Sequence, residues 1–167
     1  MTRKIAVIGE NIFDCLKVYF SDKDVEVALF DELSVSEYNL ICADNAAAEL
    51  SEKSFSVPVL NVHYSLLPAF AQSDAAEKAF TSGVKVGGIT IHQVSKDNLY
   101  NKILAQYPVL IGYTTTYNEY RDELSVVVQK ILPHVADAVL NDRVFDFSDL
   151  FKTRCAGGCG NCGNCSR

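Results

Sequence analysis

The sequence predicts an α/β fold, a doubly wound and mostly parallel sheet over residues 1–148, with a cysteine-rich tail at 149–167. Three observations carry that reading. Apolar runs begin at Lys4-Ile5-Ala6-Val7-Ile8-Gly9 and recur at 25–30, 38–43 and 57–60, with the continuous hydrophobic character of buried parallel strands. Helical patterns at 12–20 and 45–50 fall between them, and strand–helix alternation argues a doubly wound sheet. The chain has 167 residues, 49% of them hydrophobic, which is one domain's length and enough to bury a full core.

Charge and hydropathy narrow the class. A net charge of −6 argues against a nucleic-acid groove. No apolar run reaches the length of a membrane span, and Met1-Thr2-Arg3-Lys4 leads into a strand rather than a signal peptide. The expectation is a cytosolic protein with neither a nucleic-acid nor a membrane partner. Its six cysteines then need an explanation other than a secreted disulfide framework.

Taken in order, the first strand ends at Gly9, and Asn11 can cap a helix that lines up Ile12, Phe13, Leu16, Tyr19 and Phe20. The fourth apolar run, Val57-Pro58-Val59-Leu60, opens into Asn61-Val62-His63-Tyr64-Ser65-Leu66-Leu67-Pro68. Strand side chains alternate, so Asn61 and His63 share a face. An amide and an imidazole at the carboxyl end of a buried strand can donate to one developing oxyanion. After them, Ser73 can cap a helix at 74–82 that stops at Gly83. Residues 86–94 read as a strand with Thr90, His92 and Val94 on one face, so His92 either reaches the site or is a half-buried strand residue. Thr116-Tyr117-Asn118-Glu119 fits a capping box, and apolar residues at three- and four-residue steps from Tyr120 to Val139 predict one long helix. Pro133 should kink it. Val144, Phe145 and Phe147 form an apolar patch that would dock the tail.

The segment from Asn61 to Pro68 resembles the Asn-x-His-Pro-Ser-Leu-Leu-Pro signature of the folate-dependent formyltransferases, especially the glycinamide ribonucleotide type. The likeness continues through Gly83-Val84-Lys85-Val86 and Gly88-Ile89-Thr90-Ile91-His92, then Ile103-Leu104-Ala105-Gln106 and Gln129-Lys130-Ile131-Leu132-Pro133. It covers roughly residues 57–140. The resemblance implies a Rossmann-like, formyltransferase-like fold, 10-formyltetrahydrofolate as donor and a small-molecule amine as acceptor. It implies Asn61 and His63 as catalytic residues, with Leu66, Leu67, Pro68, Gly88, Thr90 and His92 shaping the pterin pocket. Two departures stand out. The family holds a substrate phosphate on a glycine-rich turn after its first strand, whereas Gly9-Glu10-Asn11-Ile12 has one glycine and a carboxylate that repels phosphate. The family's catalytic aspartate, in the loop after the strand of His92, falls on Leu99; Asp97 is the nearest carboxylate, and only a shift of that loop would bring it in.

The tail is the other strong signal. Cys155, Cys159, Cys162 and Cys165 are separated only by Gly, Asn and Ala, which let a chain wrap a small object. Such spacing suits a four-iron four-sulfur cluster or zinc, and an unliganded redox tail is the remaining alternative. Cys15 and Cys42 read as small core residues. The sequence thus carries two functions from different classes. One is formyl transfer to an amine. The other is a catalytically degenerate module whose cysteines bind a cluster or zinc for electron transfer, redox sensing or docking to a redox partner protein.

Overall fold

The computed structural model describes residues 2–96 and 98–150. Four parallel strands come first: β1 (Arg3–Ile8), β2 (Val25–Leu29), β3 (Leu40–Asp44) and β4 (Val59–His63). Two antiparallel strands, β5 (Val86–Ser95) and β6 (Asn98–Leu110), complete a six-stranded sheet in the order β2-β1-β3-β4-β5-β6. The helices are α1 (Glu10–Tyr19), α2 (Ala47–Ser51), α3 (Ala75–Thr81) and α4 (Tyr117–Leu140), with 3-10 turns at Glu32–Glu37 and Phe147–Leu150.

Both sheet faces are covered, which is why the central strands are almost uniformly apolar. On one face Ile5, Val7, Leu40, Cys42, Leu60, Val62, Ile89 and Ile91 meet Ile12 and Leu16 of α1 and the apolar stripe of α4. On the other, Ala6, Ile41, Ala43 and Val59 pack with Tyr38, Leu50 and Val94. Burying each large apolar side chain of α4, such as Leu124 or Ile131, contributes about 1.5–3 kcal/mol. That packing holds the 24-residue helix across the sheet.

Several local expectations shift. α1 starts at Glu10 with Gly9 at its cap, so Asn11 lies inside the helix and donates instead to Asp44 Oδ2 at 3.1 Å. Asp74, not Ser73, precedes α3, and the Ser73 carbonyl accepts from Asn45 Nδ2. The capping box at Thr116 and Glu119 is present with both of its hydrogen bonds. Pro133 lies buried inside α4, which runs on to Leu140. Phe145 and Phe147 pack against the core, while Val144 is exposed. The loop expected after β5 is instead a tight reversal: Ser95 pairs with Asn98, and β6 runs back along the whole of β5.

Candidate functional site

Asn61 and His63 alternate along β4 with Leu60 and Val62, and so project from the face opposite α1 and α4. The antiparallel register sets Asn61 beside His92 and His63 beside Thr90. The four polar side chains share one sheet face and are at most 3% exposed. Buried polar groups must be paired, and here the pairing fixes the chemistry. The Ala46 N–H donates to Asn61 Oδ1 at 2.8 Å, which identifies the other terminal atom as the amide nitrogen. That nitrogen donates to the Val62 carbonyl and to His92 Nε2, 3.1 Å away. His92 Nε2 is therefore an acceptor, and the ring is neutral with its proton on Nδ1. Burial pushes its pKa down to about 4, with a smaller push from His63.

His63 Nε2 lies 2.9 Å from the Phe70 carbonyl, which can only accept, so this nitrogen carries the proton. Burial lowers the His63 pKa, and the Phe70 carbonyl opposes that shift. The two imidazoles meet edge to face, with centroids 6.4 Å apart.

Thr90 organises the loop beyond β4. Its hydroxyl donates to the Ser65 carbonyl and accepts from the Leu67 N–H and Gln106 Nε2, while Gln106 also donates to the Leu67 carbonyl. Ser65 Oγ donates to the carbonyl of Ala69, and the Leu67–Pro68 peptide is cis. Gly88 sits at φ 151°, where a Cβ would stand 2.2 Å from the Tyr107 carbonyl and 2.8 Å from Leu66 Cδ2. Only glycine admits that approach of β6 and the loop.

The structure thus brings Asn61, His63, Thr90 and His92 together and seats Leu67 and Gly88 beside them. Leu66 is half-buried and Pro68 exposed. The family's aspartate position, residue 99, lies in β6 rather than in a loop. Asp97, Cys155, Cys159, Cys162 and Cys165 lie outside the described residues. Among the described residues no group of three or more potential metal ligands converges. Cys42 is buried and Cys15 partly so; both thiols are free, and burial raises the Cys15 pKa to about 11. No helix among the described residues is long and apolar enough to cross a membrane.

Ser65, Phe70, Ala46 and Gln106 complete the site without having been singled out as site residues in the sequence. Ser65 stands inside the signature and Gln106 inside a matching block, so position was a signal for both. Phe70 and Ala46 act through backbone atoms, for which side-chain type gives no signal.

Comparison with known proteins fits this architecture. The chain is 30% identical over 127 residues to the phosphoribosylglycinamide formyltransferase of Bacillus subtilis (strain 168), an alignment of 74% of this chain and 65% of that one. It therefore spans somewhat under two thirds of that relative's length. It is 28% identical over 91 residues to the formyltetrahydrofolate deformylase of Haemophilus influenzae, covering 54% of this chain and 33% of the relative. The crystal structure of phosphoribosylglycinamide formyltransferase from Anaplasma phagocytophilum superposes with a TM-score of 0.64 at 19% identity, over 84% of this chain and 87% of that one; at that identity the likeness speaks for the fold. The formyl transferase family model matches residues 38–136, more than half of the chain and all of β3 to β5 with the Asn61–His63–His92 cluster. The chain belongs to the formyl transferase family.

Proposed function

We propose that the protein transfers a formyl group from 10-formyltetrahydrofolate to a small-molecule amine in the cytosol. The observation that carries this reading is the Asn61–His63 pair on one face of β4, backed by His92, in a chain of this family. The acceptor's lone pair attacks the formyl carbon and makes a tetrahedral oxyanion, to which His63 Nε2–H donates, and the Asn61 amide with it once one of its two N–H groups is released from the Val62 carbonyl or His92 Nε2. Collapse breaks the bond from the formyl carbon to N10. The acceptor's proton ends on N10, leaving a formamide and tetrahydrofolate. Leu66, Leu67, Pro68, Gly88 and Thr90 would shape the pocket for the donor.

His63 Nε2–H is held by the Phe70 carbonyl, where the formyl oxygen would have to sit. Productive binding therefore needs the loop 64–70 to release that carbonyl. Purified protein, donor and an amine panel test the reading, with a no-amine control for hydrolysis of the donor. Transfer should occur and fall on the order of 100- to 1000-fold in His63→Ala. No transfer to any amine, or transfer indifferent to His63, sinks it.

A second reading is favoured by the internal pairing of both donors, the Asn61 amide with the Val62 carbonyl and His92 and the His63 ring with the Phe70 carbonyl, and by the placement of residue 99 in a strand. In it the domain is catalytically silent, and Cys155, Cys159, Cys162 and Cys165 bind a four-iron four-sulfur cluster or zinc, serving electron transfer, redox sensing or a redox partner protein. Iron, zinc and sulfide counts on anaerobically purified protein, with a visible spectrum, decide this. A colourless, metal-free protein rejects it.

A further inference from the structure

A cleft of about 1090 Å3 lies between α1 and α4, on the face of the sheet away from Asn61 and His63. That is more room than a small-molecule site of about 300–1,000 Å3 needs. Along α1 it is lined by Glu10, Asp14 and Val18, and along α4 by Val126, Lys130 and His134. Each set steps by four residues, so it keeps to one side of its helix. Val18 is 72% exposed and Val126 46%, which leaves an apolar seat on both walls, with the buried Ile131 beneath.

The chain itself indicates what covers this seat. Phe145, Phe147 and Leu150 all pack on the core of the α1 and α4 face, and Leu150, the last described residue, lines the cleft. The next residue is Phe151. Residues 151–167 carry Lys152, Arg154 and Arg167 and no acid. On the wall, Glu10 and Asp14 are exposed and enter no ion pair among the described residues. Lys130 on the facing wall turns cations toward α1. Four residues reach at most about 14 Å, so Phe151 to Arg154 cannot travel far from Leu150. A tether this short gives the segment an effective concentration in about the millimolar range, so it outcompetes a second copy or another protein of equal affinity.

We propose that Phe151-Lys152-Thr153-Arg154 docks in this cleft, with Phe151 on the apolar seat and Lys152 and Arg154 paired with Glu10 and Asp14. Exposed ion pairs contribute little alone, so Phe151 supplies the hold and the two pairs set the register. The cysteine run then starts, at Cys155, across the sheet from Asn61 and His63. A partner that reads the cysteines approaches from that side and leaves the formyl site open. The inference is independent of both readings above.

NMR on the full chain, reduced and free of metal, tests it. Phe151 ring protons should show nuclear Overhauser contacts to the Val126 and Ile131 methyl groups. Heteronuclear NOE values at 151–154 should match those of α4. Asp14→Lys should lower these values toward those of a free chain, and so should Lys152→Glu with Arg154→Glu. The combined charge swap should restore them. Phe151→Ala, which alters no described residue, should release the segment outright. Absence of the Phe151 contacts, free-chain values at 151–154 in the unaltered protein, indifference to Asp14→Lys, or contacts that vanish on dilution and so belong to a second copy overturn the proposal.

Discussion

Asn61 Nδ2 and His92 Nε2 lie 3.1 Å apart, joining β4 to β5 through side chains as well as through the sheet ladder. Because the Ala46 N–H holds the other end of the amide, the direction of this bond is fixed, and so is the tautomer of the histidine. Ala46, Asn61 and His92 thus form one hydrogen-bonded chain whose ends depend on the central amide, and it meets the His63 side of the site through the edge-to-face contact of the two imidazoles.

Removing the amide leaves two buried groups unpaired, the Ala46 N–H and His92 Nε2. Asn61→Ala should therefore destabilise the fold by roughly 2–4 kcal/mol, read as a shift in the urea midpoint. Asn61→Asp keeps the acceptor for Ala46 but turns an oxygen toward His92. That variant should force His92 to take a proton, visible as a rise in its pKa by NMR.

The neutral His92 makes stability depend on pH. Its folded pKa, about 4, lies below the ordinary histidine value of 6.5, so the unfolded chain binds the extra proton first as pH falls. The contribution is complete above about pH 6.5, is lost progressively down to about pH 4, and amounts to roughly 3 kcal/mol. His63, also lowered by burial, acts in the same direction. Unfolding curves at pH 7, 6, 5 and 4 should show the decline, and His92→Gln should flatten it.

Gly88 bears the closest backbone approach in the site. Gly88→Ala puts a methyl group against the Tyr107 carbonyl and Leu66, at a φ that side chains rarely adopt. A loss of roughly 2–4 kcal/mol is expected, together with NMR shifts in residues 65–70.

The start of α4 is testable away from the site. Thr116 Oγ1 accepts from the Glu119 N–H, and the Glu119 carboxylate accepts in turn from the Thr116 N–H. Thr116→Ala should cost about 1 kcal/mol, measured by denaturant unfolding, and leave ligand binding unchanged.

The parallel half of the fold was legible because the centres of β1, β3 and β4 are buried on both faces and so read as apolar runs, while β2, at the sheet edge, still keeps Val25, Val27, Ala28 and Leu29 around a single charge. The capping box at Thr116 was equally plain, since its two bonds are local. β6 went unread. Pro108 and the asparagines at 98 and 101 look like breaks, yet β6 is an edge strand, and a proline there leaves only one ladder to interrupt. The Asn61–His63 pair was visible from strand alternation and from the resemblance of its surroundings. What sequence could not reveal is how its polar atoms are spent. The partners at Ala46 and Phe70 are backbone groups, brought in by a short helix and a turn whose positions depend on the assembled sheet. The start of α1 was misplaced for a related reason: Asn11 is an adequate cap by type, but Asp44, distant in sequence, draws its amide away.

The tight reversal between Ser95 and Asn98 bears on any attempt to engineer activity into this scaffold. Residue 99 follows a residue paired with Ser95, three positions and about 10 Å beyond His92, and farther still from His63. Writing an acid into that site by point mutation would leave it stranded at the far end of the hairpin. Only lengthening the reversal by several residues, so that the chain could double back over the imidazoles, would deliver one. Repair here calls for insertion rather than replacement.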